Sequence, residues 1–169
     1  FKFNIKLALL GGIFKLTNNQ PPMVAFAGIK NKLDYDGIEM QRFINKHNLS
    51  RFKMNPNFPV ITLQIMRAAV VAEKEGFLMD YVQKITRSMW EREKKMDDPE
   101  IIKAEYDHWG FDSSLLMDGM NDPDIKASLM DKTSEAVDRG VFGIPTFFVG
   151  DEMFFGKDRL GQVEEEILK

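Results

Sequence analysis

The chain has 169 residues, 44% of them apolar and 29% charged, with a net charge of −3 and a pI near 5.5. That length allows one domain of ordinary size or a small domain with an insertion, and the composition is that of a soluble globular protein. Acidic and basic residues are mixed rather than blocked and no apolar run approaches about 18 residues, so neither a nucleic-acid partner nor a transmembrane helix is expected.

Zero cysteines exclude disulfides, thiolate metal sites and a cysteine nucleophile within these residues. Two histidines, His47 and His108, are too few for a histidine-rich centre, and no metal is expected. The first residue is Phe1, and no signal peptide can be read from such a start. The eleven methionines and fourteen phenylalanines suit core filling or an apolar pocket wall.

Phe3–Leu10 places apolar residues at 3, 5, 7 and 9 and ends in a continuous apolar run, which predicts a strand. Gly11-Gly12 breaks it, and Thr17 to Pro22 is a loop dense in turn residues. From Pro22 to Lys46 the pattern is loosely helical, weakened at Gly28 and Gly37. Residues 48–59 read as a loop, with Pro59 in the first turn of a helix Val60–Glu75 that Gly76 stops. A second helix spans Leu78–Glu93. Asp98-Pro99-Glu100 and Asp122-Pro123-Asp124 each set a capping aspartate before a first-turn proline and an acid. Those helices run to about His108 and Arg139, closed by Gly110 and Gly140, and Asp112 caps a short helix Ser113–Met120 between them.

The last stretch is a loop with Ile144-Pro145, a strand Thr146–Val149, a Gly150-Asp151 turn, a strand Glu152–Phe155 and a polar step into a final helix. The proline pushes Ile144 into an extended conformation not committed to the following strand. If the Ile144-Pro145 bond is cis, which the sequence does not decide, the Ile144 N–H and C=O could meet an extended peptide, and a proline that merely opens a strand is the alternative. A lone hairpin and one distant strand make a poor sheet. Either the helices hold them or a central strand lies outside these residues.

Gly143-Ile144-Pro145-Thr146 before an apolar strand resembles the proline loop of thioredoxin-like proteins of the DsbA type, in which a helical domain divides the sheet. More narrowly, Leu10 to Lys15 with Asn19-Gln20-Pro21-Pro22, Lys32-Leu33-Asp34-Tyr35, Asn57-Phe58-Pro59-Val60 and Gly156-Lys157-Asp158-Arg159 resemble the kappa-class glutathione transferases and the 2-hydroxychromene-2-carboxylate isomerases. The matches lie in order over most of the chain. The resemblance implies an α/β fold, with residues 1–22 and 140–169 as a thioredoxin-like domain and 23–139 as a helical insertion. In that family a strand and a helix precede the stretch that starts here, and the loop between them carries the catalytic serine. About thirty residues of that kind are therefore expected before Phe1. The catalytic serine, or the cysteines of DsbA-like chemistry, would lie among them.

The same resemblance assigns glutathione as cofactor. Ile144 and Pro145 would pair with its cysteinyl backbone and Asp158 would take the γ-glutamyl ammonium, although a carboxylate there could simply be an N-cap. Lys157 aligns with a position that is often serine. Asn19 would lie near the bound sulfur, and Lys32 would face the glycine carboxylate. Phe58 and Trp90, with Trp109, could line an aromatic substrate, although aromatics at helical spacing are more often core. The implied function is glutathione-dependent isomerisation of intermediates in aromatic degradation, through thiolate addition to a conjugated alkene. Alternatives are a kappa-type transferase, a DsbA-like thiol-disulfide oxidoreductase and a non-catalytic peptide-binding module. Implied partners are a small aromatic electrophile and a second copy of the chain, in a cytoplasmic setting.

Overall fold

Three aspartates start three of the helices as expected. The computed structural model describes residues 2–169. In it, Asp98, Asp112 and Asp122 each accept hydrogen bonds from the first turn of the helix they precede. Those helices are α6 (Pro99–Trp109), α7 (Ser113–Gly119) and α8 (Pro123–Asp138). Before them come α1 (Leu10–Thr17), α2 (Pro22–Ala25), α3 (Lys32–Lys46), α4 (Leu63–Lys74) and α5 (Leu78–Trp90). After them come β1 (Thr146–Val149), β2 (Glu152–Phe155), a 3-10 turn Lys157–Arg159 and α9 (Leu160–Ile167).

α4 is the central helix of the core. Its run Ala68-Ala69-Val70-Val71-Ala72 is buried, and it packs against α5, α7 and α8. Small residues let these neighbours approach closely: a Cβ on Gly119 would stand 2.7 Å from Val71 Cγ2. Most polar groups inside this block are partnered, the buried Gln64 side-chain oxygen of α4 being an exception. Tyr81 donates its hydroxyl to the Ile65 carbonyl at 2.8 Å and meets the Tyr106 hydroxyl at 3.1 Å. Burial pushes both phenols up, Tyr106 to about 12. Glu105 has a side chain only 4% exposed and receives Arg92 on both carboxylate oxygens and Ser88 on one. Burial is the largest influence on its carboxyl and acts upward, but the Arg92 and Ser88 bonds together outweigh it and hold the group below its ordinary value.

Several expectations are corrected. Residues 2–9 carry no strand, because their backbone finds no ladder partner among the described residues. Leu9 is extended and Leu7 is buried, so the conformation survives without the pairing. Gly11-Gly12 does not break the chain but lies inside α1. There the intrinsic cost of glycine in a helix is overridden by packing. A Cβ on Gly12 would lie 2.9 Å from Thr133 Cγ2 of α8, and Ile13 beside it is fully buried. The same threonine accepts the Leu9 N–H at 3.0 Å and so fixes where α1 begins.

The helix expected from Val60 starts at Leu63, after Thr62. Pro59 lies outside it, its bond to Phe58 is cis, and the Ile61 N–H is held by Asp97 at 3.1 Å. α5 ends at Trp90, earlier than expected, and Glu93 beyond it takes a positive φ. The loose pattern from Pro22 resolves into α2 and α3, separated by turns that end at Asn31 with φ +68°.

The sheet is the expected hairpin, antiparallel from Thr146 opposite Phe155 to Val149 opposite Glu152. Gly150 takes φ +59° at the first turn position, where glycine is favoured. Arg139 closes the end of α8 onto this turn. Its guanidinium lies 3.7 Å from the Phe148 ring centroid and donates to the Gly150 carbonyl at 3.2 Å. α9 packs on β1.

Two outcomes follow. Thr133→Val leaves the Leu9 N–H unpaired and should cost about 1–3 kcal/mol, read as a lower urea midpoint. A carboxyl held low in the folded state contributes stability above its unfolded value, near 4.5, and loses it as pH falls through the folded value. Urea titrations between pH 7 and 3 should therefore show a steeper acid loss in the parent than in Glu105→Gln.

Candidate functional site

At one end of the hairpin the chain leaves backbone unpaired. The Ile144-Pro145 bond is cis. Beyond the register of the strands, the Gly156 N–H donates to the Pro145 carbonyl at 2.9 Å and carries the pairing one step further. Ile144 lies just past that step and is 46% exposed. Neither its N–H nor its C=O has a hydrogen-bond partner among the described residues. Ile144 lies in a bend over residues 143–145, not yet in the strand, and an exposed residue with both main-chain groups unpaired can accept an extended backbone.

Three tethers organise this end. Asn19, just after α1, donates its amide N–H to the Phe142 carbonyl at 2.8 Å and accepts the Gln20 N–H on its own oxygen. The Thr146 hydroxyl donates to the Gly143 carbonyl at 2.6 Å. Gly143 sits so close to Phe155 that a Cβ would lie 2.8 Å from the ring. The Gly156 bond to Pro145 leads directly to Lys157 and Asp158 in the 3-10 turn.

Asp158 makes no capping bond to the turn or to α9. Its carboxylate is 71% exposed and pairs with Lys157 Nζ at 2.6 Å. Lys157 in turn lies 4.5 Å from the centroid of the Phe43 ring on α3. Asn19, Ile144, Pro145, Lys157 and Asp158 are thus joined by hydrogen bonds and chain adjacency at one end of the hairpin.

Lys32 is not joined to them. It lies at the start of α3, paired with Asp36 and 4.8 Å from the Phe26 ring. Phe58 and Trp90 form a separate cluster with Phe52, with ring centroids 5.7 and 6.1 Å from Trp90. Trp109 is half-buried. Its indole N–H donates to Ser88 at 2.8 Å, and its ring lies beside the guanidiniums of Arg87 and Arg92. His47 packs on Phe43, and His108 lies edge-on to Trp109. Among the described residues no carboxylate or histidine cluster could hold a metal. Among the described residues no helix is long and apolar enough to cross a membrane. A depression of about 450 Å³, open to solvent, is lined by Lys2 to Ile5 with Glu73, Leu78 and Met79 and includes no residue of the hairpin end.

The sequence reading missed Phe43, which showed only as one member of an apolar stripe. It also missed the Phe142 carbonyl as the anchor for Asn19. Both contacts join residues more than a hundred positions apart, and no local signal marks them.

The family model for the DSBA-like thioredoxin domain matches residues 1–168. The chain belongs to that family. A solved structure of 2-hydroxychromene-2-carboxylate isomerase superposes with a TM-score of 0.78 over 95% of this chain and 76% of that one, at 23% identity. That likeness shows the fold: a helix-rich, DsbA-like thioredoxin fold with a small sheet. By sequence the chain is 26% identical over 137 residues to the 2-hydroxychromene-2-carboxylate isomerases of Pseudomonas sp. (strain C18) and Pseudomonas putida. The match covers 80% of this chain, and 63% and 66% of those proteins. A shorter match, 36% over 59 residues, joins it to the isomerase of Sphingobium xenophagum, covering 35% of this chain and 30% of that protein. The resemblance read from the ordered motifs is therefore to the right group. The chain spans just under two thirds of the length of the Pseudomonas relatives.

The Asn19 tether has a measurable weight. Asn19→Ala removes two exposed hydrogen bonds and should cost about 1–2 kcal/mol, while shifting the backbone amide resonances of residues 142–146.

Proposed function

We propose that this chain serves as a glutathione-dependent isomerase acting on a conjugated alkene of an aromatic-degradation intermediate: the name of its relatives suggests the isomerase, and the resemblance of its ordered motifs suggests the rest. The observation that carries the reading is the unpaired backbone of Ile144 on the same end of the hairpin as Asp158. A tripeptide with an ammonium at one end matches that arrangement in kind: extended main chain for the ledge, positive charge for the carboxylate. The residues fit the group for a second reason. Asp158 caps no helix, so binding an ammonium would cost the fold no capping bond.

Glutathione held on Ile144 and Asp158 would supply a thiolate nucleophile for reversible addition to the alkene. The chain's own residues hold and orient. Ile144 offers one donor and one acceptor to an extended backbone. Pro145 has no N–H, so that backbone has a single register on the ledge. Asp158 supplies negative charge for the ammonium. Asn19 keeps the loop that carries Ile144 against the end of α1. No residue of this chain is assigned the activation of the thiol, and Lys32, Phe58 and Trp90 are given no role at the ledge.

The experiment is calorimetric titration of the protein, purified at its natural length, with glutathione. Binding is expected, and Asp158→Ala should weaken it by about 1–2 kcal/mol, the loss of one exposed charged hydrogen bond. Absence of binding, or an unchanged affinity in the variant, would remove the reading. Turnover of 2-hydroxychromene-2-carboxylate with and without glutathione then tests the reaction itself.

A further inference from the structure

The loop before α4 is locked to the end of α5 and the turn that follows it. Lys53 donates its N–H to the Trp90 carbonyl at 2.7 Å. Asn55, only 2% exposed, donates its side-chain amide to the carbonyls of Met89 and Lys94 at 3.0 and 2.8 Å. Held this way, the rings of Phe52 and Phe58 lie against Trp90, while Leu49, Met54, Phe58 and Ile61 of the same loop are exposed, Met54 by 60% and Ile61 by 71%. Apolar side chains exposed together mark a contact surface, and a backbone already fixed has little freedom left to lose on binding.

Three ion pairs border this cluster: Arg51 with Glu91 at 3.4 Å, Lys53 with Glu93 at 3.4 Å and Lys95 with Asp97 at 2.9 Å. Asp97 also holds the N–H of Ile61. An apolar, aromatic centre inside a polar rim is the anatomy of a protein–protein contact. The pairs cancel, so the border offers no net field to a strongly acidic or basic partner. In the first two pairs the loop supplies both cations and the turn after α5 supplies both anions, so the charges stand in two rows side by side. A two-fold axis running between the rows sets the cations of one copy against the anions of the other. That is the self-complementarity a contact between identical surfaces requires.

We infer that the patch around Trp90 is a contact surface for a second copy of this chain, with Met54, Phe58 and Ile61 at its centre and the Lys53 and Glu93 rows meeting their counterparts across a two-fold axis. Phe58 and Trp90 then serve this contact rather than an aromatic substrate. Among the described residues no member of the patch is hydrogen-bonded or ion-paired to Ile144, Lys157 or Asp158, and the inference does not rest on the glutathione reading.

Sedimentation equilibrium of the natural-length protein tests this, and the parent should sediment at twice the mass of its chain. Lys53→Glu leaves two acids at the pair and Glu93→Lys leaves two lysines. Each change alone should weaken self-association at least about tenfold, because like charges then face each other across the axis. The Lys53–Glu93 pair is exposed, so both variants should keep the parental unfolding temperature. An equimolar mixture of the two should recover the parental affinity, since a copy with two acids there meets a copy with two lysines. Ile61→Ser should also weaken association at least about tenfold, whereas Met130→Ser, on α8 and 70% exposed, should leave it unchanged. A parent of single mass, a dimer unaffected by Lys53→Glu and Glu93→Lys, a mixture no tighter than its components, or an equal loss in Ile61→Ser and Met130→Ser overturns the inference.

Discussion

The close contact of α1 with α8 is the constraint on which the arrangement depends. Gly12 has no side chain because Thr133 occupies the space, and Thr133 in turn accepts the N–H of Leu9. Those two facts fix both the height and the rotation of α1. Only with α1 so placed does Asn19, just past its end, reach the Phe142 carbonyl and steady the loop that presents Ile144. α8 contributes at its other end as well, where Arg139 lies on Phe148 and the hairpin turn. A single helix therefore sets the position of the sequence before the site and of the sequence that forms it.

The helical block and the hairpin end treat polar groups in opposite ways. Inside the block each prominent polar side chain has a partner: Tyr81 with Tyr106, Glu105 with Arg92, Asn55 with the carbonyls of Met89 and Lys94. Leaving any of them single would cost desolvation without return. At the hairpin end the Ile144 backbone is single and Asp158 is exposed, which solvent allows at little cost. A largely satisfied block beside an unsatisfied edge is the division expected when one part of a protein supplies position and another supplies contacts.

What could be read from the sequence was whatever has a local cause. Aspartate before proline marks a helix start because the carboxylate answers the free N–H groups of the next turn, and the three aspartate caps are where the sequence places them. The hairpin was legible from two short apolar runs around Gly150-Asp151. The misses share a different cause. Residues 3–10 alternate as a strand does, yet a strand is defined by a partner, and the alternation says nothing about one. Gly11-Gly12 looks like a break until Thr133, more than 120 residues away, explains why Gly12 has no side chain. Pro59 sits in a loop anchored by Asp97, not in a first turn. For the site, Ile144, Pro145 and Asp158 were legible by motif, but the seating of Lys157 on Phe43 was not, because it joins residues 114 positions apart.

α3 has fifteen residues and not one of them is buried. Its order therefore comes from its own backbone bonds and from a few side-chain contacts at its edges. A helix of that length is marginal when it stands alone in water. The consequence concerns time rather than structure. The buried helices open only when much of the core opens with them, whereas α3 can unwind and re-form with the core intact. Its amide hydrogens would then exchange on a clock of their own, and whatever contacts the 3-10 turn makes with it are renewed on that clock. The edge of the hairpin is fixed for as long as the protein is folded; the neighbour that Lys157 rests on is not.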